Sequence, residues 1–216
     1  MAIFRLEIKP IRRSEGRDAR AAAAYRSGTQ IGEYDYTRRR GVAHRFILLP
    51  PMAPQWTRAE LWQGSEEAEK RKNSVVAREL LIALPHEMRQ ADRIKITREL
   101  SSWLVSRYGV AVDAALHAPR QGHDERNHHA HLLMTTRRMS ATGLGEKTRE
   151  LDDKQTGPRE IEAIRAAWAS ILNDAGFNLE HRAQLPERAM QPTAPRPNPS
   201  RSTTRTTDPC LPPPQP

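Results

Sequence analysis

The sequence predicts an α+β fold, a sandwich of one sheet and packed helices. Three observations predict it. Short segments with period-two alternation recur between Phe4 and Thr136. Longer segments with apolar residues every three to four positions lie between and after them. Two of the strands flank a polar loop at 118–127 and read as an antiparallel pair.

In chain order, Phe4, Leu6 and Ile8 alternate with Arg5, Glu7 and Lys9, the pattern of a half-buried strand. Ala19 to Arg26 is an alanine-rich helix, with Asp18 as its start signal and Ser27-Gly28 as its stop. His44 to Leu49, closed by Pro50-Pro51, is a second strand. Thr57-Arg58-Ala59-Glu60 is a capping box that opens a charged helix predicted to reach about Asn73. Val75 to Leu84, closed by Pro85, is a third strand. A helix from Gln90 to Tyr108 carries Ile96, Leu100, Trp103 and Leu104 on one side and stops at Gly109. Val110, Val112, Ala114 and Leu116 alternate again, and after the polar loop a strand runs from His128 to Thr136. A last helix begins near Pro158, turns Ile161, Ile164, Trp168, Ile171 and Leu172 inward, and ends at Gly176.

The 216 residues suit one domain with an appendage. Residues 1–185 form the predicted body. Residues 186–216 hold ten of the seventeen prolines and no aromatic residue, which predicts a disordered Pro/Arg/Ser/Thr-rich tail. No apolar run is long enough to span a bilayer, and the N-terminus lacks the pattern of a secretory signal, so no membrane insertion is expected. The single cysteine, Cys210, rules out an internal disulfide and a cysteine-based zinc finger, which points to a reducing, cytoplasmic setting. A formal charge of +9, of which the tail carries +2, favours a polyanionic partner.

Five of the eight histidines fall between positions 117 and 131. Residues i and i+2 of a strand share a face, so His129 and His131 present two imidazoles side by side while His128 faces the other way. His117 ends the preceding strand, and antiparallel pairing brings its ring to the same place. Three neutral imidazoles converging on one point make a metal site with open positions. His123 and His128 read as surface or supporting residues; His44, His86 and His181 carry no pattern.

Tyr25 lies on the alanine-rich helix, where small neighbours leave its ring clear and Arg20 and Arg26 stand ready to attract a phosphate. A phenol with a free pKa of about 10 needs a metal or a base to act as nucleophile. From the residues alone, Tyr25 reads first as an ordinary core or surface tyrosine. Glu79 interrupts an apolar strand whose same-face neighbours are Ala77, Leu81 and Ala83. Such a carboxylate either faces solvent, orients a ligating histidine, or accepts the phenolic proton.

Taken together, these segments resemble the relaxase domain of the MobA/MobL plasmid mobilisation family, including TraA-like conjugation proteins. The resemblance runs from Met1 to about Leu185. It is carried by Met1-Ala2-Ile3, Ser14-Glu15-Gly16-Arg17 through Ala24-Tyr25-Arg26, Glu67 to Lys72, Ala77-Arg78-Glu79, Ala83 to Glu87, and Leu144 to Thr148. Its most specific stretch is His117-Ala118-Pro119 through Arg126-Asn127-His128-His129-Ala130-His131. The resemblance implies a His-hydrophobe-His endonuclease (relaxase) fold, a central antiparallel sheet with flanking helices, with Tyr25 as nucleophile, His117, His129 and His131 as ligands of a divalent metal, and Glu79 as an active-site acid. Relatives often carry a second acid two residues later, where this chain has Leu81.

The implied activity is metal-dependent nicking of one strand at a plasmid transfer origin, through a 5′-phosphotyrosine intermediate, for conjugative transfer. Mn or Mg is the expected ion, with Zn, Ni or Co chemically admissible. The expected partners are single-stranded or supercoiled plasmid DNA at a transfer origin, relaxosome accessory proteins and a type IV coupling protein. TraA-like proteins continue into a helicase, so duplex unwinding is not expected of this chain. Candidate DNA contacts are Arg12, Arg13, Arg17, Arg26, Arg38, Arg39, Arg40, Arg126, Arg137 and Arg138; six phosphate contacts on a single strand imply a salt slope near about −4. Two alternatives remain. One is a rolling-circle replication initiator, which usually places its tyrosine after the His-x-His motif rather than before it. The other is a noncatalytic, metal-stabilised DNA-binding remnant.

Overall fold

The computed structural model describes residues 5–119, 122 and 124–177. A five-stranded sheet forms its centre, built from β1 (Leu6–Arg12), β4 (Val42–Leu48), β5 (Val75–Ala83), β6 (Val112–His117) and β7 (His129–Thr135). The spatial order is β1-β5-β7-β6-β4, and every neighbouring pair is antiparallel. Two short hairpins accompany it: β2 (Gln30–Ile31) with β3 (Tyr34–Asp35), and β8 (Arg137–Ser140) with β9 (Gly143–Lys147).

Four helices cover the sheet: α1 (Ala19–Ser27), α2 (Arg58–Glu67), α3 (Gln90–Tyr108) and α4 (Gly157–Asp174). Alternation along the strands divides the core in two. Leu80, Ile82, Ala114, Leu132 and Met134 pack with Leu100 and Leu104 of α3 and Ile164 and Trp168 of α4. Ala77 and Leu133 face the other way and pack with Ala19, Ala23, Ala24, Leu61 and Trp62 of α1 and α2. Among the described residues, no helix is long and apolar enough to cross a membrane.

Several boundaries differ from the sequence expectation. The first strand extends to Arg12 and runs through Pro10, which the ladder tolerates because β1 is an edge strand. The charged helix ends at Glu67 rather than Asn73. Buried carboxylates bend the chain there: Glu66 meets Arg13, and Glu69 meets Arg137 and Lys147. The β2–β3 and β8–β9 hairpins are additions to the predicted elements. Residues 178–216, including the expected tail, lie outside the described residues, as does His123.

Two features set α1 in place. Asp18 caps its start, accepting from the backbone N–H groups of Arg20 at 2.7 Å and Ala21 at 3.3 Å, while Glu66 accepts from that of Ala19 at 2.6 Å. Ala19, Ala23 and Ser27, spaced at i and i+4, then turn a face of small side chains to the sheet. Gly28 ends the helix at φ 61°, a conformation that disfavours side chains, and a Cβ there would meet Val42 at 3.2 Å.

Candidate metal and phosphoryl-transfer site

The β6–β7 register places His117 directly opposite His129, and β5 supplies Leu81 opposite His131. The three imidazole rings stand 4.9 to 5.2 Å apart, centroid to centroid, and each offers a nitrogen within 4.8 Å of the others'. The second nitrogen of every ring has an oxygen partner. His131 Nδ1 lies 2.6 Å from Glu79, His129 Nδ1 lies 3.0 Å from the Asn127 carbonyl, and His117 Nε2 lies 2.7 Å from the Arg26 carbonyl. Each of these nitrogens donates its proton, which leaves Nε2 of His129 and His131 and Nδ1 of His117 with free lone pairs. Burial pushes the His117 imidazolium down to about 4 and lowers His129 as well, so both rings stay neutral at neutral pH. Three imidazoles whose outer nitrogens are fixed by oxygen partners fit a divalent cation and leave part of its coordination sphere to other ligands.

Glu79 lies on the same face of β5, one pleat from Leu81. Its carboxylate is claimed twice, by His131 and by a bidentate pair with the Arg26 guanidinium. Burial alone raises this acid, but the hydrogen bonds from His131 and Arg26 outweigh that effect and hold it at about 2. A carboxylate held so low accepts protons poorly. Of the roles open to Glu79, orienting His131 is the one this geometry fits.

Tyr25 is 42% exposed and stands on the side of α1 away from the alanine face. It lines a cavity of about 520 Å³ together with Lys9, Arg26, Tyr36 and Glu79. A second cavity of about 320 Å³ is lined by His117, His129, Asn127, Arg39 and Arg40. His128 faces the opposite side of the sheet, as the alternation predicts, with Nδ1 at 3.1 Å from Arg93. Tyr108 is buried at the end of α3 and donates to Glu160 at 2.9 Å.

The ten candidate arginines separate into groups. Arg13, Arg26 and Arg137 point inward: Arg13 grips Glu66, Arg26 grips Glu79, and Arg137 grips Glu69. Arg12 and Arg17 pair with Glu15, Arg126 with Asp124, and Arg138 with Glu150, all near the surface. No carboxylate pairs with Arg38, Arg39 or Arg40 among the described residues. Sequence reasoning missed a further basic cleft of about 780 Å³, where Lys70, Arg71, Lys147 and Arg149 gather beside Arg137 and Glu69. Charge alone gives no signal for it, because its members come from three separate segments.

A five-stranded antiparallel sheet that sets an imidazole triad under a tyrosine-bearing helix is the arrangement of a relaxase domain, and known proteins agree. A solved structure described as the molecular basis of vancomycin resistance transfer in Staphylococcus aureus superposes with a TM-score of 0.70 at 26% identity, covering 83% of this chain and 97% of that one. The MobM relaxase domain, solved bound to a 26-nucleotide pMV158 oriT DNA, shares the fold with a TM-score of 0.50 at 13% identity, covering 89% of this chain and 97% of that one.

The MobA/MobL family pattern matches residues 17–202, and the chain belongs to that family. It is 36% identical over 221 residues to mobilization protein MobL of Acidithiobacillus ferridurans, covering 88% of this chain and 58% of MobL. It is 31% identical over 201 residues to conjugal transfer protein TraA of Agrobacterium fabrum, covering 83% of this chain and 18% of TraA.

Proposed function

We propose that this chain is a metal-dependent, strand-specific DNA transesterase that nicks a plasmid transfer origin to start mobilisation. The observation that carries the reading is the junction at Arg26, the residue after Tyr25. Its carbonyl bonds His117, its guanidinium bonds Glu79, and Glu79 bonds His131. The helix bearing the phenol is thereby fastened to two of the three imidazoles.

His117, His129 and His131 would hold a divalent cation, Mn or Mg in this reading, which would supply Lewis acidity at the scissile phosphate. Glu79 fixes the tautomer and orientation of His131. The Tyr25 oxygen attacks phosphorus in line and gives its proton to solvent. The bond from phosphorus to the 3′ oxygen breaks, and that oxygen takes up a proton. The products are a 5′-phosphotyrosine and a free 3′-hydroxyl. Because one phosphate ester replaces another, a 3′-hydroxyl can reverse the step and rejoin the strand. Arg38, Arg39 and Arg40, with the surface arginines Arg12, Arg17, Arg126 and Arg138, give salt-sensitive affinity for the single strand. Relaxosome accessory proteins and a type IV coupling protein are the partners this role calls for, and it is carried out in the cytoplasm.

The test incubates the protein with Mn and a single-stranded oligonucleotide covering the transfer origin. A slower, protease-sensitive covalent band is expected from the wild type, with none from Tyr25→Phe. His131→Ala is expected to bind the oligonucleotide and fail to cut it. An adduct formed by Tyr25→Phe overturns the nucleophile. A wild-type chain that binds the origin without forming adduct overturns catalysis and leaves the DNA-binding remnant.

A further inference from the structure

We propose that Arg39 is a catalytic residue that stands between the Tyr25 ring and the histidine-lined cavity, holding the face of that ring while presenting its terminal N–H groups to the scissile phosphate beside His117 and His129. The assignment rests on the transesterase reading and assigns one guanidinium a specific task within it.

The Arg39 guanidinium carbon lies 3.6 Å from the centroid of the Tyr25 ring, a close cation–π contact. Tyr36 meets the same ring edge-on, with centroids 5.2 Å apart and planes at 88°. The phenol is thus held on a face by a planar cation and against an edge by a second aromatic ring. The turn that carries Arg39 there is itself braced: the Arg39 N–H donates to the Tyr36 carbonyl at 2.9 Å, and Asp35 accepts from the Thr37 N–H at 2.9 Å.

Arg39 also lines the cavity that His117 and His129 line. It therefore touches the nucleophile on one side and borders the metal-binding imidazoles on the other. Its commitments set it apart from the neighbouring cations. Arg26 is taken by Glu79, and Arg20 by Asp18 and Glu33. Arg39 Nε is buried away from water with no hydrogen-bond acceptor. The rest of the side chain is half-buried, lines the histidine cavity and has no carboxylate partner among the described residues. A phosphate diester in that cavity supplies the charge partner the guanidinium lacks, and the planar fork matches its paired oxygens.

The test uses the full chain with Mn and the single-stranded origin oligonucleotide, and follows adduct formation in a single turnover. Arg39→Ala is expected to slow it about 100-fold, the scale for losing one preorganised donor. Arg39→Lys, which keeps the charge and loses the planar fork, is expected to slow it about tenfold. A second readout is insensitive to any loss of fold stability. Measured without metal, exchanging the nicked phosphate for a neutral methylphosphonate is expected to weaken wild-type binding about tenfold and leave Arg39→Ala binding unchanged. Adduct formation by Arg39→Ala at the wild-type rate, or an equal methylphosphonate penalty in both proteins, overturns the assignment. A wild-type chain that forms no adduct sinks the transesterase reading itself, and this assignment with it.

Discussion

His117 Nε2 lies 2.7 Å from the carbonyl oxygen of Arg26, a hydrogen bond that joins positions 91 apart in the chain. It ties the helix that carries Tyr25 to the end of β6, at the ring that also faces His129 and His131. Replacing His117 or His129 with Ala removes one imidazole of the proposed metal site in either case, but only the first also cuts this tie. Both variants are expected to lose metal binding in calorimetry. Only His117→Ala is expected to speed amide hydrogen exchange in residues 19–27, and equal exchange in the two variants would contradict the tie.

Glu79→Gln keeps an acceptor for His131 while removing the charge that holds Arg26. Such supporting carboxylates are worth about 10- to 100-fold in metal affinity. A loss in that range is expected by isothermal titration with Mn, together with a lower melting temperature, because the half-buried Arg26 guanidinium loses its carboxylate.

Acid sensitivity follows from the same residues. His117 titrates near 4 in the folded chain and ordinarily at 6.5. Between these values the unfolded chain holds a proton that the folded chain lacks, so the metal-free protein gains stability as pH rises through this window and levels off above it. The gain is up to about 3 kcal/mol. Glu79 acts lower, its contribution complete above 4.5 and lost as pH falls toward 2. Urea unfolding in chelator at pH 4.5 and pH 7 checks the first window, which His117→Asn is expected to flatten.

Asp113 is buried in β6 and accepts from Arg58 at 2.8 and 2.9 Å and from Trp62 Nε1 at 2.9 Å, which docks α2 on the sheet. Burial raises its carboxyl even though Arg58 and Trp62 oppose the shift. Asp113→Ala leaves a half-buried guanidinium and a buried indole N–H without partners and is expected to cost about 3 kcal/mol in denaturant unfolding. Adding Arg58→Met is expected to recover a large part of that loss.

The inward and outward arginines make separable predictions. Arg38→Ala and Arg40→Ala are each expected to flatten the dependence of log K on log salt by about 0.7 for single-stranded DNA. Arg13→Ala and Arg137→Ala are expected to lower the melting temperature and leave that slope nearly unchanged. Fluorescence anisotropy at several salt concentrations, beside thermal melts, distinguishes the pairs.

Much of the sheet was legible because alternation marked β1 and β6, and an apolar run closed by Pro85 marked β5. Antiparallel pairing of β6 with the strand after the polar loop then sufficed to bring His117, His129 and His131 together. Periodicity marked α3 and α4 in the same way. The β8–β9 hairpin was not legible, because Arg137-Arg138 and Gly143 to Lys147 lack the apolar alternation that marks a half-buried strand. The early end of α2 and the inward turn of Arg13 and Arg137 share another cause. The acids that claim those guanidiniums lie 53 and 68 positions away, and no local pattern encodes such a pairing. Arg39 was indistinguishable from Arg38 and Arg40 in sequence; only the turn that lays it over Tyr25 separates them.

The alanine face of α1 has one more consequence. Methyl groups have no rotamers to surrender and none to adjust, so the helix docks at almost no side-chain entropy and with no slack in its height above the strands. The phenol is carried like a tool in a fixed mount, and any variation in how far it reaches must come from its own two torsions.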